Sequence, residues 1–230
     1  MSVCIIPARG GSKRIWRKNI RPFLGKPMIA WSITAAQVAG CFDRIVVSTE
    51  DDEIAAVAEA HGAEVPFRRD PSLADDLTGT LPVIAHAVRA LGLSDDMPVC
   101  CLYATAPFVR AEDLRAGQAQ LAETGAAFVI SVTSYAFPIQ RALLRDADGA
   151  VQMIDPAQMH TRSQDLPEAW HDAGQFYWAK AATWASARGV FEVGAQGLPL
   201  PRHRVQDIDT PEDWTRAEWM MRALQAEDRA

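Results

Sequence analysis

The stretch SVCIIPARGGSKRIWRKN, residues 2–19, joins a short apolar run to a glycine-containing, strongly basic loop. Its first residues, SVCII, have the apolar composition of a buried strand. Gly10 and Gly11 follow, and glycine allows a positive φ and a close approach of the backbone to another group. In an open parallel sheet, the loop after the first strand lies at the carboxyl edge, where ligands bind. The stretch therefore predicts a sheet whose first strand leads directly into a ligand-binding loop.

The remainder of the chain alternates strand-like and helix-like segments, which is typical of α/β proteins. Further strands are predicted at 43–49, 63–67, 97–103, 126–135 and 175–179. Helices are predicted at 27–40, 51–62, 78–92, 111–125, 182–189 and 211–225. After Tyr135 the rhythm changes, and residues 136–170 contain turns, prolines and mixed charges. We therefore expect one domain, residues 1–230, with a three-layer α/β fold, a mainly parallel sheet and a small inserted arm at about 136–170.

The bulk composition excludes several classes of protein. The chain has 230 residues and a formal net charge of −6, which argues against a general nucleic-acid binder. Its four cysteines form no CxxC pair and no zinc spacing, so we interpret them as small side chains in a reducing cytosol. No secretory signal precedes Cys4, and no apolar run approaches the ~18 residues that a membrane span needs. We expect a cytoplasmic protein with no nucleic-acid partner and no membrane association.

Positive charge is concentrated at the start of the chain. Residues 1–26 hold seven lysines and arginines and no acid, whereas the rest of the chain holds 16 basic and 29 acidic residues. Arg9 could bind two phosphate oxygens at once, and Lys13 and Lys18 would add point charges. Successive amides of the glycine loop could also point at an anion. This pattern predicts a polyphosphate site, although a solvated basic loop or a nucleic-acid contact remains an alternative, and neither the Walker spacing nor GxGxxG is present.

The stretch DIDTPEDW, residues 207–214, carries two alternating acids before a predicted helix. Asp207 and Asp209 on an extended segment would leave the same face of the chain. Thr210 is placed to cap the helix, with Pro211 at its first position. Two carboxylates at one rigid end could hold Mg²⁺ and leave coordination positions for phosphate oxygens and water. Helix capping alone is the alternative interpretation of this stretch.

The opening loop, IPARGGSKRIWRKNI followed by GKPMIAWSI, resembles the signature of the cytidylyltransferases that activate eight-carbon and nine-carbon sugar acids. These are the CMP-sialic acid, CMP-pseudaminic acid and CMP-Kdo synthetases, in which proline usually stands where this chain has Trp16. The resemblance implies a Rossmann-like nucleotidyltransferase fold, with Mg²⁺ or Mn²⁺ held by the aspartate pair at 207 and 209. It also implies that the loop 67–80 wraps the cytosine. The CTP contacts implied by the resemblance are Ala8, Arg9, Gly10, Gly11, Ser12, Lys18, Asn19, Arg69 and Thr80.

Other stretches bear on the sugar. Relatives that use sialic acid typically show Gln-Pro-Thr-Ser-Pro where this chain has LYATAP, residues 102–107. The runs FPIQRAL (137–143), RSQDL (162–166) and HDAGQFYW (171–178) resemble the pseudaminic acid cytidylyltransferases in particular. Arg141 and Arg162 are candidates to bind the sugar's carboxylate through paired hydrogen bonds. The complete set of predicted sugar contacts is Tyr103, Thr105, Gln140, Arg141, Arg162 and Gln175.

The resemblance implies an enzyme that transfers CMP from CTP to the anomeric hydroxyl of a nonulosonic acid, with release of pyrophosphate. Arg9, Lys18, Asp207 and Asp209 would be its catalytic residues, and the arm at 136–170 would join two copies into a homodimer. Pseudaminic acid is the first choice, with sialic, legionaminic and Kdo acids as alternatives. Two rival functions stay open: a module that binds RNA or polyphosphate through the basic loop, and a nucleotidyltransferase that uses UTP or GTP and a sugar phosphate.

Overall fold

The computed structural model describes residues 1–186 and 188–228. Its strands are β1 Val3–Pro7, β2 Pro22–Phe23, β3 Lys26–Pro27, β4 Arg44–Ser48, β5 Pro98–Leu102, β6 Phe128–Ser134, β7 Leu143–Arg145, β8 Val151–Met153, β9 Trp170–Lys180 and β10 Ala195–Pro199. Its α-helices are α1 Met28–Ala39, α2 Asp52–Ala60, α3 Thr80–Ala90, α4 Ala111–Thr124, α5 Ala181–Ala185 and α6 Pro211–Glu227. None of these helices combines the length and the apolar character that crossing a bilayer requires.

Six strands form the central sheet, in the order β10-β6-β9-β5-β1-β4. The pairs β1–β4, β1–β5 and β10–β6 are parallel, whereas β9 runs antiparallel to both β5 and β6. Strand β1 therefore lies between two parallel neighbours, and the basic loop leaves the sheet at its carboxyl edge. This arrangement confirms the predicted α/β fold with a mainly parallel sheet.

The core has a layer on each face of the sheet. Alternate residues of β1 face opposite sides, so that Cys4 and Ile6 pack with α1 and α4, while Val3 and Ile5 pack with α3 and α5. A third apolar cluster joins α6 to the start of α1, with Phe23 and Trp214 meeting edge to face at a centroid distance of 5.4 Å. Helices on both faces of one sheet make the three predicted layers, and the third cluster attaches α6 beside the basic loop.

Several predicted elements differ from those observed. The predicted strand 63–67 is reduced to a single bridge between Val46 and Glu64, because Pro66 has no N–H to continue a ladder. Strand β10 was not predicted, since Gly197 and Pro199 are poor strand formers; here a Cβ on Gly197 would lie 2.8 Å from the Val132 side chain. The predicted helix 182–189 ends at Ala185. Residue 187 of that prediction lies outside the described residues.

The arm between β6 and β9 contains the hairpin β7–β8 and short 3-10 turns at Ile139–Arg141, Pro156–Gln158 and Ser163–Asp165. Its apolar side chains are largely exposed: Phe137 by 82%, Val151 by 61% and Leu143 by 57%. Among the described residues, no other segment of this length has so many exposed large apolar side chains.

Candidate active site

The basic loop after β1 and the aspartate pair before α6 line the same cleft, which has a volume of about 290 Å³. The loop between α2 and α3 and the segment after β5 also line this cleft. The cleft is lined by Pro7, Arg9, Ser12, Lys13, Arg14, Ile15, Lys18, Asn19, Arg69, Thr78, Gly79, Thr80, Val83, Tyr103, Ala104, Thr105, Asp207 and Asp209. Two segments almost two hundred residues apart in sequence therefore face one another across a single cleft.

The aspartate segment is fixed by its neighbours on both sides. Ile208, between the two acids, is completely buried, so the alternating side chains of Asp207 and Asp209 turn toward the cleft. Thr210 caps α6 as predicted: its hydroxyl accepts from the N–H of Asp213 at 3.2 Å, and the Asp213 carboxylate accepts from the Thr210 N–H at 2.8 Å. The cap and the buried isoleucine together hold the two carboxylates in place.

Asp209 pairs with two cations of the basic loop. Lys18 Nζ lies 3.1 Å from Asp209 Oδ1 and also donates to the carbonyl of Ile208 at 2.7 Å. The guanidinium of Arg14 lies 2.9 Å from Asp209 Oδ2. Arg14 was not among the predicted contacts, although its place in the basic loop was visible. Lys18 and Arg14 therefore lie beside the aspartate pair, where a phosphate could replace the Asp209 carboxylate as the partner of both cations.

Arg9 binds to the loop between α2 and α3. Its guanidinium lies 2.9 Å from a carboxylate oxygen of Asp76 and also donates to the carbonyl of Asp75. Lys13 pairs with the same Asp76 carboxylate. Asn19, which is buried, donates from Nδ2 to the Arg9 carbonyl at 2.9 Å and so fixes the backbone that carries the arginine. The sequence analysis did not predict that acids of the 67–80 loop pair with the basic loop. The opposite charges of these two loops, which both lie at one edge of the sheet, could have indicated this pairing.

The two glycines behave differently from the expectation of an amide nest. Neither Gly10 nor Gly11 has a positive φ. The N–H of Gly10 donates to Glu50 Oε1 at 2.7 Å, and a Cβ there would lie 2.5 Å from Asp51 Oδ2. The N–H of Ala8 donates to the carbonyl of Ser48 at 3.0 Å and is therefore not free for an anion. Ala8, Gly10 and Gly11 are absent from the cleft lining, so the cationic character of the cleft comes from side chains.

Trp16, which stands where relatives usually have proline, is 62% exposed and does not line the cleft. The next residue, Arg17, has a φ of 54° and pairs with Asp51 at 2.5 Å and with Glu53. This pairing lowers the pKa of Asp51, chiefly through the hydrogen bond from the guanidinium. The loop is therefore anchored at the N-terminus of α2 by Arg17, and the indole ring stays outside the site.

Asp207 has the properties of a cation ligand. Partial desolvation in the cleft and then the charge of Asp209 raise the pKa of its carboxyl group. Among the described residues its carboxylate has no salt bridge, and no group of three His, Cys, Asp or Glu side chains could hold a metal by themselves. Asp207, which has no salt bridge within the described part of the chain, and Asp209, whose cationic partners a phosphate could take over, are two hard oxygen donors that fit Mg²⁺ or Mn²⁺ if the remaining ligands come from substrate oxygens and water.

The predicted cytosine contacts both line the cleft, but Arg69 has limited freedom. Its backbone N–H donates to the Thr49 carbonyl at 2.9 Å, and its buried guanidinium donates to the hydroxyl of Ser48 at 3.2 Å and to the Ser48 carbonyl. Burial lowers the pKa of Arg69. Thr80 begins α3, and its Oγ1 lies 2.9 Å from the hydroxyl of Tyr103.

Of the predicted sugar contacts, Tyr103 and Thr105 line the cleft, and the other four do not. Gln140 donates to the Pro167 carbonyl at 3.1 Å, and Arg141 donates to Ser163 Oγ at 3.3 Å. Arg162 pairs with Asp165 at 2.6 Å. These arm residues bind within their own arm because the short turns place hydrogen-bond partners next to them.

Gln175 is also outside the cleft, on the buried part of β9. Its side-chain Nε2 donates to the Arg204 carbonyl at 2.6 Å, and its backbone carbonyl accepts from the Tyr103 N–H at 2.9 Å. The Arg204 guanidinium in turn pairs with Asp113 at 2.6 Å. Gln175 was predicted to contact the sugar directly. It instead holds the backbone of Tyr103 and the segment that precedes the aspartate pair.

Comparison with known proteins places the chain among cytidylyltransferases. The profile of the family described as "Cytidylyltransferase" matches residues 3–194. The chain is 42% identical over 214 residues to the pseudaminic acid cytidylyltransferase of Campylobacter jejuni, with 92% of each chain covered. It is 31% identical over 229 residues to the CMP-N,N'-diacetyllegionaminic acid synthase of Legionella pneumophila, with 95% of each covered.

Solved structures show the same fold. The structure of CMP:2-keto-3-deoxy-manno-octonic acid synthetase complexed with CTP is similar with a TM-score of 0.71, at 16% identity and with 99% of each chain covered. A 4-diphosphocytidyl-2C-methyl-D-erythritol synthase from Anaerococcus prevotii is similar with a TM-score of 0.66, at 14% identity. At these identities the likeness concerns the fold alone.

Proposed function

This chain belongs to the cytidylyltransferase family, and we propose that it transfers CMP from CTP to the anomeric hydroxyl of a nonulosonic acid, with pseudaminic acid as the substrate. The observation that carries the proposal is the shared cleft, which the cationic loop and the aspartate pair both line and in which Lys18 and Arg14 contact Asp209 directly. The 42% identity to a pseudaminic acid cytidylyltransferase over 92% of the chain supports the choice of sugar. Pyrophosphate is the second product.

The cationic side chains would bind and stabilise the triphosphate. Arg9, Arg14 and Lys18 already face carboxylates across the cleft, so binding of a phosphate would replace one anionic partner with another and need little new desolvation. Lys18 is the most enclosed of the three, with 19% of its side chain exposed. A fixed cation in a partly dry cleft stabilises the charge that develops on the leaving pyrophosphate without reorganisation.

Asp207 and Asp209 would hold Mg²⁺ or Mn²⁺. When bound, such an ion neutralises phosphate charge and lowers the pKa of a coordinated hydroxyl. A cation would also relieve the two effects that raise the pKa of Asp207, which are burial of its carboxyl group first and the neighbouring charge of Asp209 second. Lys18 and Arg14, displaced from Asp209, would then be available to the phosphates.

The chemistry requires no covalent intermediate with the protein. The task of the chain is to align the sugar hydroxyl with the α-phosphorus and to exclude water, which positioning and charge stabilisation can achieve. Tyr103 and Thr105 line the same cleft as the loop cations and would contact the sugar acid.

We further propose that two copies associate through the arm at 136–170. The support is the large exposed fraction of its apolar side chains, since contiguous exposed apolar surface marks interaction sites in soluble proteins. We also propose a cytoplasmic location, because the CTP that the proposed transfer reaction needs is supplied there. Size-exclusion chromatography with light scattering tests the dimer: an arm variant with Phe137→Ser and Val151→Ser should elute as a monomer.

Product analysis tests the function. Protein, CTP and Mg²⁺ are incubated separately with pseudaminic, legionaminic, sialic and Kdo acids, and product mass and pyrophosphate are recorded. We expect a CMP-sugar of pseudaminic acid and the loss of that activity in Asp209→Asn. Asp96→Asn is the matched control, because Asp96 is exposed and pairs with Lys180 at the opposite edge of the sheet.

The same assay separates the rivals. Turnover of UTP or GTP with a sugar phosphate, and none of CTP with any sugar acid, would establish the other nucleotidyltransferase chemistry. Salt-dependent binding of RNA without any nucleotide transfer would establish the binding module. Either result would overturn the proposed function.

A further inference from the structure

Arg17 has a backbone conformation that residues with a side chain rarely adopt. Its φ is 54°, and among the described residues other than glycine only Leu24 also has a positive value. In this region the Cβ crowds the carbonyl group that follows it, so an arginine there is strained unless its surroundings hold it. Leu24 lies in the turn between β2 and β3, whereas Arg17 lies inside the basic loop, directly before Lys18. The strained residue is therefore the neighbour of a proposed phosphate cation.

Two acids at the start of α2 hold Arg17 in place. Its Nη1 donates to Asp51 Oδ2 at 2.5 Å, its Nη2 donates to Asp51 Oδ1 at 3.0 Å, and it also pairs with Glu53. Asp51 is itself fixed, because its Oδ1 accepts from the Ile54 N–H at 2.9 Å as the N-cap of α2. The side chains of Arg17 and Asp51 are each only 21% exposed, so solvent competes little with these paired hydrogen bonds. The guanidinium thus ties a strained backbone to the end of a helix.

The Arg17 carbonyl closes the turn that follows it. This oxygen accepts from the N–H of Ile20 at 3.0 Å and from the N–H of Arg21 at 2.8 Å. The two residues enclosed by these hydrogen bonds are Lys18 and Asn19, both of which line the cleft. Arg17 does not line it. The backbone of Arg17 therefore begins the turn that presents two residues to the cleft, while its own side chain lies outside.

The two enclosed residues serve both of the cations that are proposed to bind the triphosphate. Lys18 Nζ lies 3.1 Å from Asp209 Oδ1, at the aspartate pair. Asn19 Nδ2 donates to the Arg9 carbonyl at 2.9 Å and so fixes the backbone that carries that arginine. A change of φ at Arg17 would redirect both side chains, because the chain is continuous through the turn. A displacement of about 1 Å is enough to impair a positioned group severely.

We propose that Arg17 is a positioning residue for the two phosphate cations of the cleft. Its pairing with Asp51 keeps the backbone left-handed at residue 17. The turn that results aims Lys18 directly and fixes Arg9 through Asn19. This inference rests on the CTP-binding part of the proposed function and adds to it a residue outside the cleft. It differs from a surface ion pair that only adds stability, because a residue that adopts a positive φ without strain should replace part of its effect.

The test compares variants by their Kd for CTP in the presence of Mg²⁺, measured by isothermal titration calorimetry. Arg17→Met removes the guanidinium and keeps a side chain that disfavours a positive φ, so its Kd should rise about ten- to a hundredfold, as when a hydrogen bond to a charged group is lost. Arg17→Gly removes the guanidinium and the strain together, and should bind CTP at least about threefold more tightly than Arg17→Met. Arg68→Met is the matched control, because the exposed Arg68 pairs with Asp52 at 2.9 Å at the same end of α2. Its Kd should stay within about twofold of wild type.

Two further variants separate positioning from a general loss of stability. In the Lys18→Met background, Arg17→Met should raise the Kd by a smaller factor than in wild type, because Lys18 is one of the groups through which Arg17 acts. Asp51→Asn keeps an oxygen for the helix cap but removes the charge that holds the guanidinium. Its Kd should rise about threefold or more, and this variant decides the question if Arg17→Met does not fold.

Three results would overturn the inference: equal Kd values for Arg17→Met and Arg68→Met, no tighter binding by Arg17→Gly than by Arg17→Met, or an undiminished effect in the Lys18→Met background. Wild-type protein that binds CTP but transfers CMP to no sugar acid would overturn the proposed function alone, because the Kd comparison uses no sugar. Wild-type protein that does not bind CTP would overturn both.

Discussion

Replacement of Arg204 by methionine should destabilise the protein severely, because it leaves a buried carboxylate without its partner. Arg204 donates to both oxygens of Asp113, at 2.6 and 3.1 Å. The two side chains are only 10% and 9% exposed. Asp113 also caps α4 through the N–H of Arg110 at 3.2 Å. The pair therefore joins α4 to the segment that carries the aspartates of the cleft.

The magnitude follows from the burial of both partners. Removing one member of a buried ion pair costs about 3–5 kcal/mol, since the remaining charge is uncompensated. For a protein of this size, 1 kcal/mol corresponds to roughly 2–4 °C in Tm, so the melting temperature should fall by roughly 6–20 °C. The remaining hydrogen bond from Arg110 is too little to solvate the Asp113 carboxylate.

Thermal and chemical denaturation measure this effect. Arg202→Met is the control, because Arg202 is exposed and donates only to the Tyr135 carbonyl, at 3.1 Å, among the described residues. The double variant Arg204→Met, Asp113→Leu should recover most of the loss, since apolar replacement of a whole buried pair is often neutral. A loss below about 1 kcal/mol in Arg204→Met, or no recovery in the double variant, would refute the reasoning.

Three further predictions concern the loop and the cleft. Gly10→Ala places a Cβ 2.5 Å from Asp51 Oδ2 and should lower the free energy of unfolding by about 1–3 kcal/mol. Gly11→Ala is the control: its Cβ would have no atom within 4 Å and should change the free energy of unfolding by less than about 0.5 kcal/mol, so equal melting temperatures of the two variants would contradict the prediction. Asp207→Asn removes a carboxyl group whose raised pKa means that folding disfavours its charged form. At neutral pH the variant without ligand should therefore melt at the same temperature as wild type or higher, yet it should lose the stabilisation by Mg²⁺ and CTP. A lower melting temperature without ligand would argue against this reasoning. Arg17 lowers the pKa of Asp51, so the stability that their pairing adds is present above the ordinary carboxyl pKa near 4 and is lost as the pH falls through the lower pKa of the folded state. The difference in free energy of unfolding between wild type and Arg17→Met, measured by chemical denaturation, should therefore narrow below about pH 4. An undiminished difference near about pH 2 would count against this pairing.

The sequence predicted most of the sheet because most of its strands are largely apolar runs. Strands β1, β4, β5 and β6 are buried on both faces, and such strands stand out from the polar segments around them. Helix ends were also readable, as with Gly40, which ends α1 at a φ of 62°. The edge strand β10 escaped prediction because its pairing with β6 depends on the absence of a side chain at Gly197.

The candidate site was predictable where charge is concentrated and unpredictable where contacts depend on distant partners. The resemblance implied that Lys18 and Asp209 belong to one catalytic site, and the structure has them 3.1 Å apart. The use of the Gly10 amide by Glu50, and of the Gln175 side chain by the Arg204 carbonyl, could not be inferred, because each depends on tertiary packing between separate elements. Sequence spacing indicates which groups share an edge of the sheet, and packing decides which of them bind one another.

The most direct test of the central claim is a crystal structure with CTP and Mn²⁺, in which the anomalous signal locates the metal. The account predicts an anomalous peak at the carboxylates of Asp207 and Asp209, with the phosphates of the same CTP contacted by Arg9 and Lys18. A triphosphate bound outside this cleft, or a metal peak away from both carboxylates, would contradict it.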